Sequence, residues 1–246
     1  MLTLNKSVIT KYIDILCYNF FMLLPAKNCS KCPELLSHRL WLQQKIPDGY
    51  NQPVIGFGDP KARIFIIGLA PGANGANRTG RPFTGDVAGA YLYQALGENG
   101  FIRHGNYQAK KNDGLELQDV FISNAVKCSP PQHRNVSPLE RKNCRPFLCD
   151  EFHRLDKLEI IFTLGQTAHL AFLEACQAID TTIKKNHYMF AHKKIHRIMV
   201  DKRSMTIVNS YHCSQRNINT KILKRDDFFS LIASLRAMVA DKGKNG

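Results

Sequence analysis

The sequence predicts a layered α/β domain with a mainly parallel sheet. Four short apolar runs, Arg63–Ile67, Val120–Ser123, Glu159–Leu164 and Thr206–Asn209, have the β-branched composition of strands covered on both faces. Segments with helical periodicity lie between them, the alternation that builds a parallel sheet. A Gly/Pro-rich stretch joins the first strand to a helix, which brings main-chain N–H groups close to whatever occupies the space above it.

Taken in order, the elements are as follows. The apolar stretch Ile13–Leu24 is interrupted by Asp14 and Asn19. It is too short and too polar for a membrane span and predicts a packing helix within an N-terminal extension, 1–28. The first strand opens at Gly68 into the loop ending at Asp86, and Val87–Leu96 follows as a helix. At Ser137-Pro-Leu-Glu140 a Ser caps, a Pro takes the first turn and a Glu completes a capping box. A further helix, Thr167–Ala178, starts after Gly165. The basic segment Asp180–Arg203 predicts a solvated hairpin or loop, with phosphate contact as the other reading. The final helix, Asp226–Ala240, places Phe228, Leu231, Ile232, Leu235, Met238 and Val239 on one face. Residues 29–240 thus form one domain, with 241–246 as a disordered tail.

Thirty-four Lys and Arg against twenty Asp and Glu leave a net charge of +14, which points to an anionic partner, above all nucleic acid. Eight cysteines in a chain of this length, with no evident leader peptide, argue against a secreted disulfide framework and for a cytoplasmic protein.

Ligands of parallel sheets sit beyond the carboxyl ends of the strands. The first exit, Gly68–Asp86, lacks the Gly-Lys-Ser/Thr ending of a P-loop, and Gly68, Gly72 and Gly75 have the wrong spacing for a dinucleotide fingerprint. It does carry an aromatic, Phe83, and a carboxylate, Asp86. Asn124 stands at the second exit and His212 at the fourth. Each has a plain structural alternative: Asp86 precedes a helix and can cap it, Phe83 can be core, and Asn124 can satisfy loop backbone.

Cys29-x2-Cys32 is followed by Cys128 and, further on, by Cys144. Four thiolates so spaced suit zinc or an iron–sulfur cluster, and the absence of a second Cys-x2-Cys favours the cluster over a zinc ribbon. Cys149 is an alternative to Cys144, and buried apolar thiols are a third reading. Cys17, Cys176 and Cys213 are left as structural.

The loop, the cysteine spacing and His212-Cys-Ser-Gln together resemble the uracil-DNA glycosylase superfamily, most closely its iron–sulfur family 5 (type B) branch. The resemblance runs from about Cys29 to the C-terminus. It implies a three-layer α/β/α sandwich with a short parallel sheet. The implied activity is that of a monofunctional glycosylase releasing uracil and other deaminated bases from DNA. It also implies a [4Fe–4S] cluster on Cys29, Cys32, Cys128 and Cys144. In this setting Phe83 stacks on a flipped base, Asn124 reads its edge, His212 stabilises the departing anion and Asp86 orients water or the cationic sugar. Asn74 stands where the branch often has His. Cys213 replaces the usual proline, which predicts a looser loop, with Gln215, Arg216 and Asn217 at its DNA-binding tip. The expected protein is a monomer acting on DNA away from membranes. The alternative is a non-catalytic iron–sulfur nucleic-acid-binding protein of the same fold.

Overall fold

The computed structural model describes residues 23–132 and 134–242. The elements are α1 (Pro33–Lys45), β1 (Phe57–Gly58), β2 (Ile64–Gly68), α2 (Ala76–Thr79), α3 (Val87–Glu98), β3 (Ile102–His104), β4 (Glu116–Leu117) and β5 (Val120–Asn124). There follow α4 (Pro138–Arg154), β6 (Ile160–Leu164), α5 (Gln166–Ile179), β7 (Ile195–Val200), β8 (Arg203–Ser210), α6 (Gln215–Asn219) and α7 (Arg225–Lys242).

One sheet has the order β1-β5-β2-β6-β8-β7. The four predicted strands are its centre and run parallel; β1 and β7 pair antiparallel at the edges. Alternation along the strands divides the core. Ile64, Ile66, Val120, Ile122, Ile160, Phe162 and Val208 face one layer, with Leu92 and Leu96 of α3 and Phe228, Ile232 and Leu235 of α7. Phe65, Ile67, Ile161 and Ile207 face the other, with Leu148 and Phe152 of α4 and Phe172 and Leu173 of α5. The result is the expected three-layer α/β/α arrangement. β3 and β4 make a separate two-stranded ribbon.

The Ser137–Glu140 capping box forms as predicted, with Glu140 N–H donating to Ser137 Oγ and Ser137 N–H to Glu140 Oε2. The basic segment supplies edge strand β7, hairpinned onto β8. Two boundaries differ from expectation. Residues 23–28 of the anticipated helical extension are coil and a turn, because Pro25 disfavours helix before it and Cys29 N–H closes onto Ala26 O at 2.9 Å. The rest of that extension, with Cys17, lies outside the described residues, as does His133. At the other end α7 continues through Lys242, into the segment expected to be a disordered tail. Among the described residues no helix is long and apolar enough to cross a membrane.

Parallel register sets the functional edge. Gly68 lies beside Asn124 and Thr163 beside Asn209, so β2, β5, β6 and β8 end together. Their exits share one rim.

Candidate active site

At that rim Ala70, Pro71, Gly72, Ala76, Phe83, Asp86, Ala88, Asn124 and His212 line a cleft of about 130 Å³. The four chemistry-bearing residues from three separate strand exits therefore share one mouth.

Asp86 has two roles open to it at once. It is the N-cap of α3, where its Oδ1 accepts from Gly89 N–H at 2.9 Å. Its Oδ2 turns toward the backbone of Gly72 and Gly75, and a side chain at Gly75 would collide with the carboxylate. Gly68 is required for a similar reason: a Cβ there would strike Asn124 Oδ1 and the Phe83 ring.

Phe83 belongs both to the core and to the cleft. It packs in the α3/α7 layer with only 6% of its surface exposed. What it offers the cleft is therefore a narrow part of the ring, beside His212 with centroids 5.9 Å apart and planes at 28°. Its φ of 51° is a left-handed conformation that a bulky residue holds only when its surroundings impose it. Asn124 is buried, and among the described residues its carboxamide makes no hydrogen bond, so its donor and acceptor are available to a ligand. Burial holds the His212 imidazole below the usual histidine range, against the opposing pull of Asp86, so it is neutral at neutral pH.

The segment after His212 differs from the expected loose loop. Cys213 is fully buried, and its thiol donates to Ala88 O at 3.5 Å. Ser214 caps the short helix α6. Gln215 and Arg216 are exposed on that helix, whereas Asn217 turns back and donates from Nδ2 to His212 O at 2.8 Å. Asn217 thus braces His212 from within the short helix.

Sequence reasoning missed two anchors. Arg81 is 2% exposed within the Gly-rich loop. Its guanidinium forks onto Asp113 at 2.6 and 2.7 Å, its Nε donates to Thr84 Oγ1 at 2.9 Å, and Phe57, Tyr93 and Tyr107 surround it. It fixes the loop between Gly80 and Asp86. Lys127, 1% exposed, donates to Ser123 Oγ (2.6 Å), Asn124 O (2.8 Å) and Glu151 Oε2 (2.7 Å), which uses all three of its protons. It ties the exit carrying Asn124 to α4. Lys127→Met should lower stability by about 3–5 kcal/mol, because Glu151 is left mostly covered without its cation. Pairing it with Glu151→Leu should recover much of that loss, and denaturant midpoints of the three proteins check both.

A second, tight pocket, with about 20 Å³ of free volume, lies behind this exit and is lined by Cys29, Cys32, Cys128 and Cys144 together with Leu35, Val126 and Phe147. N–H donors face three of the sulfurs. Arg39 Nη1 stands 3.4 Å from Cys128 Sγ, Lys127 N 3.3 Å from Cys144 Sγ, and Asn143 Nδ2 3.7 Å from Cys32 Sγ. The cavity has four soft donors and no carboxylate or imidazole in its lining. Such a donor set fits thiolate-ligated iron or zinc, with N–H groups to balance sulfur charge. Among the described residues no group of three or more His, Cys, Asp or Glu is drawn together as a site for a metal ion. Cys149 is not in this lining; it is buried under α5 with its thiol toward Ala175 O. Cys176 packs in the same layer.

The family model of the uracil DNA glycosylase superfamily matches residues 55–236. The chain is 33% identical over 218 residues to a type-5 uracil-DNA glycosylase of Thermus thermophilus, covering 85% of this chain and 93% of that protein. It is 33% identical over 220 residues to the type-5 uracil-DNA glycosylase of Pyrobaculum aerophilum, covering 88% and 90%. A type-4 uracil-DNA glycosylase of Thermotoga maritima is 31% identical over 160 residues, covering 65% and 68%. The matched span runs from before β1 into α7 and contains every wall of the cleft. With the sheet order and the rim geometry, these matches establish that the chain belongs to the uracil-DNA glycosylase superfamily.

Proposed function

We propose that this chain is a monofunctional DNA glycosylase that hydrolyses the N-glycosidic bond of uracil in DNA and leaves an abasic site. The observation that carries this reading is the single cleft lined by Phe83, Asp86, Asn124 and His212. A base inside a duplex is out of reach of such a cleft, so the nucleotide is extruded, at a cost of a few kcal/mol that is least for a mismatched base. Asn124 supplies a donor and an acceptor for the pyrimidine edge, and Phe83 an apolar wall. The bond from the sugar C1′ to the base nitrogen breaks with its electron pair going to the base. The His212 N–H donates a hydrogen bond to that anion. The Asp86 carboxylate steadies the cationic sugar and receives the proton of the water that adds to C1′.

Cys29, Cys32, Cys128 and Cys144 hold a [4Fe–4S] cluster in this reading. It is supported by the all-sulfur donor set that lines one pocket, and by the N–H groups facing the sulfurs. When bound, the cluster cross-links α1, the β5 exit and α4; the hydrolysis takes nothing from it. Gln215 and Arg216 face the DNA beside the mouth, the net charge of +14 draws in the phosphates, and one monomer in the cytoplasm serves one lesion.

Incubation with a uracil-containing duplex followed by alkali tests the activity. Strand cleavage at the uracil, lost in His212→Ala while DNA binding persists, is expected. Intact DNA with the protein folded and bound would favour the non-catalytic alternative.

A further inference from the structure

We propose that the groove between α1 and the Gly72–Asn74 turn seats the DNA strand next to the extruded nucleotide, with Trp41 as its stacking platform. The inference rests on the glycosylase reading and extends it to a surface outside the cleft.

The groove is open to solvent, has a volume of about 500 Å³ and is lined by His38, Trp41, Lys45, Asn74, Pro131 and Gln132 among others. Helix α1 is held to the body by Leu35, Arg39 and Leu42, all buried. Trp41 is not needed for that attachment: it is 50% exposed. It stacks on His38 with centroids 5.5 Å apart and planes at 16°. His38 is itself fixed, its Nδ1 bonded to Ser129 O at 3.0 Å. The indole is therefore a rigid, backed aromatic surface with one side open to solvent. An exposed, pre-ordered ring of this size suits the π-face of a base, whatever its sequence.

Continuity and charge identify the occupant. Gly72 lines the base cleft, and the next two residues, Ala73 and Asn74, line the groove, so a strand whose one nucleotide enters the cleft passes over this turn. Lys45 stands in the groove wall, and Arg78 bonds Asn74 O at 3.0 Å from the neighbouring helical turn, placing cations where phosphates pass. On a chain of charge +14, a polyanion with flat bases matches both features.

Trp41 is the only tryptophan of the chain, so its emission reports on this groove alone. The full-length protein with its cysteine site loaded is titrated with a duplex containing a non-cleavable abasic analogue. Quenching that saturates with DNA binding is expected. In uracil release, Trp41→Leu should raise KM roughly tenfold with kcat held, from the loss of one base stack, and Trp41→Phe should recover most of it. Unchanged emission at saturating DNA, or an unchanged KM in Trp41→Leu while uracil is still released, would overturn the groove assignment and leave the glycosylase reading standing. Equal losses of kcat in Trp41→Leu and Trp41→Phe would make the residue structural. Emission that shifts with protein concentration and not with DNA, with a doubled sedimenting mass, would assign the groove to a second copy. Quenching by DNA with no uracil release in any protein would instead remove the glycosylase reading and keep the groove.

Discussion

Asp86→Asn is expected to slow single-turnover uracil release by about 10²–10⁴-fold while leaving the fold and DNA affinity close to those of the parent. The argument rests on the division of labour between the two carboxylate oxygens. Oδ1 caps α3 through Gly89 N–H, and an Asn oxygen replaces it in that role, since Asn and Asp cap about equally well. Oδ2 faces Gly72 and Gly75 within the cleft. Converting it to an amide removes the negative charge proposed to steady the cationic sugar and the proposed acceptor for water's proton. Asp86→Ala should lose the rate and, in addition, about 1 kcal/mol of stability through the missing cap. Rapid-quench kinetics and thermal midpoints separate the two effects. A rate unchanged in Asp86→Asn but a stability loss in Asp86→Ala would reduce the residue to a cap.

Arg81→Met is expected to cost about 3–5 kcal/mol, because it leaves Asp113 covered and uncompensated. The side chains of the pair are 2% and 0% exposed, and the guanidinium lies among three aromatic rings. The Arg81 bond and two backbone N–H groups outweigh burial and hold the Asp113 carboxyl down at about 2. Its folded value lies below its unfolded one near 3.8. The parent therefore has the full contribution of this group above about pH 4, some 2 kcal/mol, and loses it as pH falls toward 2. In Arg81→Met that part of the acid limb should flatten. Urea midpoints measured from pH 2 to 7 check both. Since Arg81 braces the loop carrying Phe83, Thr84 and Asp86, the variant should also lose activity, and an active protein of parental stability would show that the loop stands without it.

The four central strands were legible because a parallel strand buried on both faces has to be apolar throughout, and each was found to within a few residues. The edges were not. β1 is only two residues long, and β7 sits in a basic segment whose outer face is exposed, so neither has a continuous apolar run. Asp86, Asn124 and His212 could be nominated because parallel strand exits share one rim. Phe83 was legible as a loop aromatic, but its burial depends on α3 and α7 closing over it. Arg81 reads in sequence as one more cation on a basic protein; its partner is 32 residues away in the turn before β4. Lys127 sits beside a candidate ligand cysteine and gives no local sign that Glu151 waits on α4. Helical geometry separates Cys144 from Cys149: five residues turn the side chain by about 140°, from the cysteine-lined pocket to the layer under α5. The tightening of residues 213–217 was not legible because it depends on contacts with Ala88 and His212.

The most direct measurement is a solved complex of Asp86→Asn with a duplex containing one uracil. The account predicts the uracil out of the helix and in the cleft, against Phe83, with its edge on the Asn124 carboxamide and an oxygen facing the His212 ring. A uracil still stacked in the duplex, or lodged elsewhere with the cleft empty, would contradict it.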